Sequence, residues 1–138
     1  FITLQNGGKM EMYHLWDFDL TLGNAGYFDA EVGNTYTNFW VKRSRWYPYL
    51  FDDPAFVDKL QARWAELYPQ LALVPAFIDR QALYLDKAKD RNFQKWSILE
   101  APDWILVPAL GSYEMELAYL KDFYTLRLEW LDVELNKL

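Results

Sequence analysis

A helical apolar period dominates the chain from residue 53 onward, and it leaves room for little else there. Within "DDPAFVDKLQARWAELYPQ", Phe56, Leu60, Trp64 and Leu67 recur at intervals of 4, 4 and 3, the face of one helix. Asp53 is a natural N-cap, and Pro54 falls at the first helical position, where a missing N–H is harmless. The spacing predicts a helix over 54–68, ended by Pro69. A second helix is predicted over about 74–92, with Val74, Phe77, Gln81, Leu85 and Ala88 along its stripe. Residues 97–112 carry two prolines and a glycine and read as a long connection. A third helix is predicted over 113–136, with Ser112 as N-cap and Glu114 and Glu116 near the positive end of its dipole. Leu117, Leu120, Tyr124, Leu128, Leu131 and Leu135 form its apolar face. Phe56, Leu60, Trp64, Phe77, Leu85, Leu120, Tyr124 and Leu128 are therefore expected to be buried.

The first sixteen residues follow a different period. "FITLQ", "NGGK" and "MEMYHLW" read as a β-hairpin over 1–16, because Asn6-Gly7-Gly8 tolerates the positive φ of a tight turn. "LGNAGYFDAEVGNT" reads as a loop, and "NFWVKRSRWYPYLF" as helical, with Trp40, Trp46, Leu50 and Phe51 on one side and an interruption near Pro48. The expected fold class is mostly α (α+β), a hairpin followed by a helical lobe. A hairpin alone is marginal in water, and Phe1 begins inside a strand pattern. The chain is thus expected to be a piece of a longer protein whose other strands lie upstream.

Composition narrows the function. A length of 138 residues suits a single domain, 1–138, and seven Trp, ten Tyr and nine Phe can supply a large core. A net charge of −6 argues against nucleic acid, which needs clustered Lys and Arg; "VKRSRW" is the nearest approach. The absence of cysteine excludes disulfides, thiol catalysis and Cys-ligated zinc. No apolar run reaches the length of a membrane span.

Chemistry concentrates in "MYHLWDFDLTLGNAGYF", where Asp17 and Asp19 flank Phe18 at the end of the second hairpin arm. Two carboxylates at a strand end suit a divalent cation, although an Asp-x-Asp pair also serves as a cap or turn former. Asp17-Phe18-Asp19-Leu20-Thr21-Leu22 resembles the opening motif of haloacid-dehalogenase-type phosphatases, whose first Asp is the nucleophile and second the acid and base. That fold requires an apolar strand before the motif and alternating strands and helices after it. "KMEMYHLW" is mixed, and helical spacing prevails downstream. A kinase-type site is the third reading: there an Asp-Phe-Gly follows a strand, and its Asp holds the Mg²⁺ that bridges the ATP phosphates. His14, the single histidine, is a conceivable base or metal ligand but more ordinarily a packed strand residue. Arg63-Trp64 and Arg127 with Trp130 read as ligand-stacking pairs or as packed Trp with snorkelling Arg, and the aromatic content as a sugar-binding surface or as core; helical spacing favours packing in both cases.

Four segments in order sharpen the third reading: "LWDFDLTLGNAGY", "FWVKRSRWYPYLFDDPAFVDKLQARWAELYPQ", "FIDRQALYLDKAKDRNFQKW" and "YEMELAYLKDFYTLRLEWLD". Together they resemble the C-terminal part of the spore-coat protein H (CotH) kinase family. The resemblance implies an atypical protein-kinase-like fold in a secreted or cell-envelope protein. It implies transfer of the γ-phosphate of ATP, with Mg²⁺ or Mn²⁺, to Ser of polypeptides. By the same resemblance Asp17 is the metal-binding catalytic residue, Asp19 a second metal or phosphate-network contact, and Asn24 a cofactor-side residue that orders the loop. Trp16 and Phe18 are expected to pack, Phe18 positioning Asp17. The nucleotide-gripping Lys and the catalytic-base Asp are expected upstream of Phe1. A pseudokinase-like binding module is the alternative of a different class.

Overall fold

The computed structural model of the protein describes residues 2–4, 6–12, 17–18, 20–25, 35–43, 45–100 and 109–138. Strands β1 (Ile2–Leu4) and β2 (Met10–Met12) pair antiparallel, with Ile2 opposite Met12 and Leu4 opposite Met10. Gly7 sits in the connecting turn at φ 76°, a conformation that glycine adopts without a Cβ penalty. The predicted hairpin is present in its described part; residues 13–16 lie outside it.

The stretch expected to be helical with an interruption near Pro48 is two short pieces, a 3₁₀ turn (Trp40–Arg43) and helix α1 (Tyr47–Leu50), and the break falls before Pro48. Arg45 between them has φ 25°, outside the right-handed helical region. Pro48, tolerated in the first turn of α1, could not donate to a turn continuing from upstream.

Helix α2 (Pro54–Leu71) starts as its sequence dictates: the Asp53 carboxylate accepts from the Ala55 N–H at 2.9 Å. It does not stop at Pro69, which lies inside it. Proline there forfeits one intrahelical bond and crowds the preceding turn, at a cost of about 3 kcal/mol. Its last turn still closes, Ala72 N–H donating to the Tyr68 carbonyl at 2.9 Å, and it is held from α4 by the Tyr124 hydroxyl, which donates to the Leu71 carbonyl at 2.9 Å. After Ala72 and Leu73 the chain reverses into α3 (Val74–Lys95).

Helix α4 (Tyr113–Leu135) packs on both α2 and α3. Ser112 caps it, its hydroxyl accepting from Met115 N–H at 3.2 Å. Against α2, Trp64 Nε1 donates to the Asp132 carboxylate at 2.8 Å, and the Gln61 amide donates to the Leu135 carbonyl at 2.8 Å. Trp64 therefore serves helix packing, and Arg63 is ion-paired to Glu66 on the surface at 2.6 Å. Against α3, Lys121 meets Asp79 at 2.6 Å and Lys89 meets Glu114 at 3.1 Å.

Leu128 is buried, and Phe56, Leu60, Trp64, Leu120 and Tyr124 are half-buried. Phe77 and Leu85 contradict the expectation, being 50% and 44% exposed. The period of α3 is right but its phase is shifted by one residue. Val74 is half-buried as expected, but beyond it the covered positions are Ile78, Ala82, Lys89 and Phe93, on the flank that carries the two salt bridges to α4. Among the described residues the sheet is a two-stranded antiparallel hairpin. Parallel strands alternating with helices, which a haloacid-dehalogenase fold requires, do not occur among them.

Two outcomes follow from this packing. Leu128→Ala is expected to cost about 2–3 kcal/mol, read as a lower midpoint in urea unfolding, since it empties one of the few buried apolar positions. Burial pushes the Tyr124 hydroxyl up from its ordinary value of 10, and burial followed by the Glu116 charge does the same to Tyr119. Both contributions to stability are complete below pH ~10 and are lost as pH rises through the raised folded values, because the unfolded phenols ionise first. The alkaline fall in melting temperature is therefore expected to be shallower in a Tyr119→Phe/Tyr124→Phe variant.

Candidate functional site

The acidic motif leads into two consecutive turns. Asp17 is exposed and holds φ 64°, in the left-handed region that a non-glycine residue enters at a cost of roughly 1–2 kcal/mol. The Phe18 carbonyl accepts from Thr21 N–H at 3.0 Å and from the Thr21 hydroxyl at 2.6 Å, closing the first turn. The Thr21 carbonyl accepts from Asn24 N–H at 3.2 Å, closing the second. Leu22 and Gly23 at its centre have φ 56° and 83°. Strained backbone of this kind concentrates at functional sites, where the surrounding structure over-determines it.

The surrounding structure here is α4. The Tyr119 hydroxyl donates to the Gly23 carbonyl at 2.9 Å. A Cβ on Gly23 would lie 2.5 Å from Phe123 Cδ2 and 2.8 Å from the Tyr119 oxygen, so the backbone approaches as closely as glycine permits. A cavity of about 310 Å³ opens between loop and helix. Phe18, Thr21 and Asn24 line one side of it; Glu116, Tyr119 and Leu120 line the other. The Glu116 carboxylate is engaged, accepting from Leu110 N–H at 2.8 Å.

The same flank of α4 grips the next described segment. Arg127 Nη1 donates to the carbonyls of Tyr36 at 2.8 Å and Asn38 at 2.9 Å, and Asn38 itself stands at φ 76°. The guanidinium lies 4.9 Å from the Trp130 ring centre, and burial lowers its pKa from the ordinary value. Trp130 then meets Phe39 at 4.9 Å, and Phe39 meets Phe51, which packs edge-on against Phe56 at 5.5 Å. Arg127 and Trp130 are thus a clamp on backbone rather than a ligand-stacking pair.

Of the residues singled out in sequence, Asp17 is exposed and Asn24 is half-buried beside the cavity. Phe18, expected to pack, is 57% exposed. Asp19, His14 and Trp16 lie outside the described residues. Among the described residues no cluster of three or more His, Cys, Asp or Glu forms. Sequence reading missed Thr21, Gly23, Tyr119 and Phe123. The signal for the last two was a second stripe on the final helix, Tyr119, Phe123, Arg127 and Trp130, at spacings of 4, 4 and 3. A larger cavity, about 360 Å³, lies by Lys89, Phe93 and Tyr113, where the Lys89 ammonium is taken up by Glu114 and Asp86. Replacing Arg127 by Met removes two charge-assisted bonds to backbone, so a loss of about 1–2 kcal/mol in urea unfolding is expected, with Arg127→Lys intermediate.

Neither a curated protein nor a solved structure matches the chain. A model of the CotH kinase protein family matches residues 3–131, which takes in the hairpin, the Asp17 turns and almost all of the helical lobe. The chain belongs to the CotH kinase protein family.

Proposed function

We propose that this chain contributes the metal-binding segment of an atypical protein kinase that transfers the γ-phosphate of ATP to Ser of polypeptides. The observation that carries the reading is the placement of Asp17. Its carboxylate is exposed at the head of two turns buttressed by α4, in a chain of the CotH kinase family. The donor chemistry fits the expected cation: Mg²⁺ takes hard oxygens and binds through one or two carboxylates plus substrate phosphates. Asp17 would hold it, with Asp19 as the second carboxylate. When bound with ATP, the cation neutralises phosphate charge.

The protein's own contribution is positional. Asp17 is held in a conformation that the free chain disfavours, so little reorganisation remains when charge develops. The bonds of Thr21 and of the Asn24 N–H close the loop's two turns, and the Tyr119 hydroxyl ties the loop to α4. In the transfer the Ser Oγ–P bond forms as the β–γ bridging P–O bond breaks and ADP departs. The hydroxyl proton passes to a general base that the family resemblance puts upstream. The reading includes an extracellular or cell-envelope location, supported by the same resemblance. Among the described residues no helix is long and apolar enough to cross a membrane.

The test is Mg²⁺- or Mn²⁺-dependent phosphorylation by the full-length protein carrying Asp17→Asn, which keeps size and removes charge. A fall of roughly two or more orders of magnitude is expected, the scale seen when one stabilising group is lost. Asp19→Asn is expected to be milder, and unfolding midpoints are expected to stay close to that of the wild type. Transfer unchanged by Asp17→Asn would remove Asp17 from the mechanism. Absence of any transfer by the wild type would favour the pseudokinase-like binding module.

A further inference from the structure

We infer that Tyr119, with Phe123 beneath it, is a positioning residue for Asp17, so that affinity for the metal–nucleotide pair is set from the last helix. The inference rests on the functional reading of Asp17 given above.

Three observations support it. The Tyr119 hydroxyl reaches the Gly23 carbonyl at 2.9 Å, from a residue 96 positions away in sequence. Gly23 stands against the Phe123 ring with no room for a Cβ, so loop and helix have a single depth of approach. Hydrogen bonds then lead from the Gly23 turn toward Asp17: Asn24 N–H bonds the Thr21 carbonyl, and Thr21 bonds the Phe18 carbonyl twice. Phe18 is the residue next to Asp17, so a shift at Gly23 passes through two closed turns to the carboxylate. Three left-handed residues, Asp17, Leu22 and Gly23, occupy this short path. Such a path relaxes readily once its outer support is removed. Tyr124, five residues along α4, provides an internal control. Its hydroxyl also donates to a carbonyl at 2.9 Å, that of Leu71, but this contact only ties α4 to α2.

The experiment compares Tyr119→Phe, Gly23→Ala and Tyr124→Phe in the full-length protein. Two quantities are read: Mn²⁺ affinity in the presence of a non-hydrolysable ATP analogue, from the electron paramagnetic signal of free Mn²⁺, and amide exchange at Thr21 and Asn24. Tyr119→Phe is expected to weaken Mn²⁺ binding by roughly five- to tenfold, the equivalent of one lost hydrogen bond, and to speed both amides. Gly23→Ala is expected to exceed it, and Tyr124→Phe to lower the melting temperature while leaving both readouts alone. If Tyr119→Phe lowers the melting temperature yet leaves Mn²⁺ affinity and exchange unchanged, the contact is only structural and the inference is overturned. Asp17→Asn would still abolish Mn²⁺ binding in that case, so the functional reading would survive. A wild-type protein that binds no Mn²⁺ with the analogue would overturn both.

Discussion

The structure depends on α4 being apolar on two sides. A surface helix normally commits one stripe to its neighbours and leaves the other to water. Here Leu128 and Leu135 are buried and Asp132, Leu135 and Tyr124 bond to α2, while Tyr119 and Arg127 hold the carbonyls of Gly23, Tyr36 and Asn38 and Trp130 meets Phe39. One rigid rod therefore sets both the packing of the lobe and the position of the loop carrying the acidic motif. Phe18 and Leu22 of that loop stay exposed, and the bond from Tyr119 on α4 opposes relaxation of its left-handed turns.

The strain and the clamps occur together. Asp17, Leu22, Gly23 and Asn38 all have positive φ, and each lies within a segment whose carbonyls are gripped from α4 by Tyr119 or Arg127. A carbonyl buried against a helix must find a donor, and phenol and guanidinium side chains reach far enough to provide one without bringing backbone to backbone. The long polar tips thus fix a loop that secondary structure could not. That suits a site whose work is electrostatic, because a carboxylate held in place beforehand pays no reorganisation at the moment charge moves.

Helix α3 makes the opposite bargain. Its contact with α4 is carried by charged pairs and by Phe93 near Tyr113, while Phe77, Leu83, Tyr84 and Leu85 stand open. Surface ion pairs of this type are individually weak. The α2–α4 contact differs in being joined by side-chain hydrogen bonds, with Trp64, Gln61 and Tyr124 closing it at both ends.

The sequence by itself determined where helices begin and which family the chain resembles. Asp53-Pro54 and Ser112 fix two helix starts through local hydrogen bonds that need no distant partner. The hairpin turn is legible for the same reason, since Gly7 satisfies a local dihedral requirement. What required the tertiary structure was everything decided between elements. Pro69 reads as a helix end, yet the helix runs through it to Leu71, where Tyr124 holds it from α4. Phe77 and Leu85 keep helical period, yet the flank covered against α4 is the one that carries Ile78, Ala82, Lys89 and Phe93. Asp17 was legible as a carboxylate in a motif, but its left-handed backbone and its support from Tyr119 across 96 residues were not. Periodicity reports which residues share a face; only the packed neighbour decides which face is covered, and what reaches back to hold the loop.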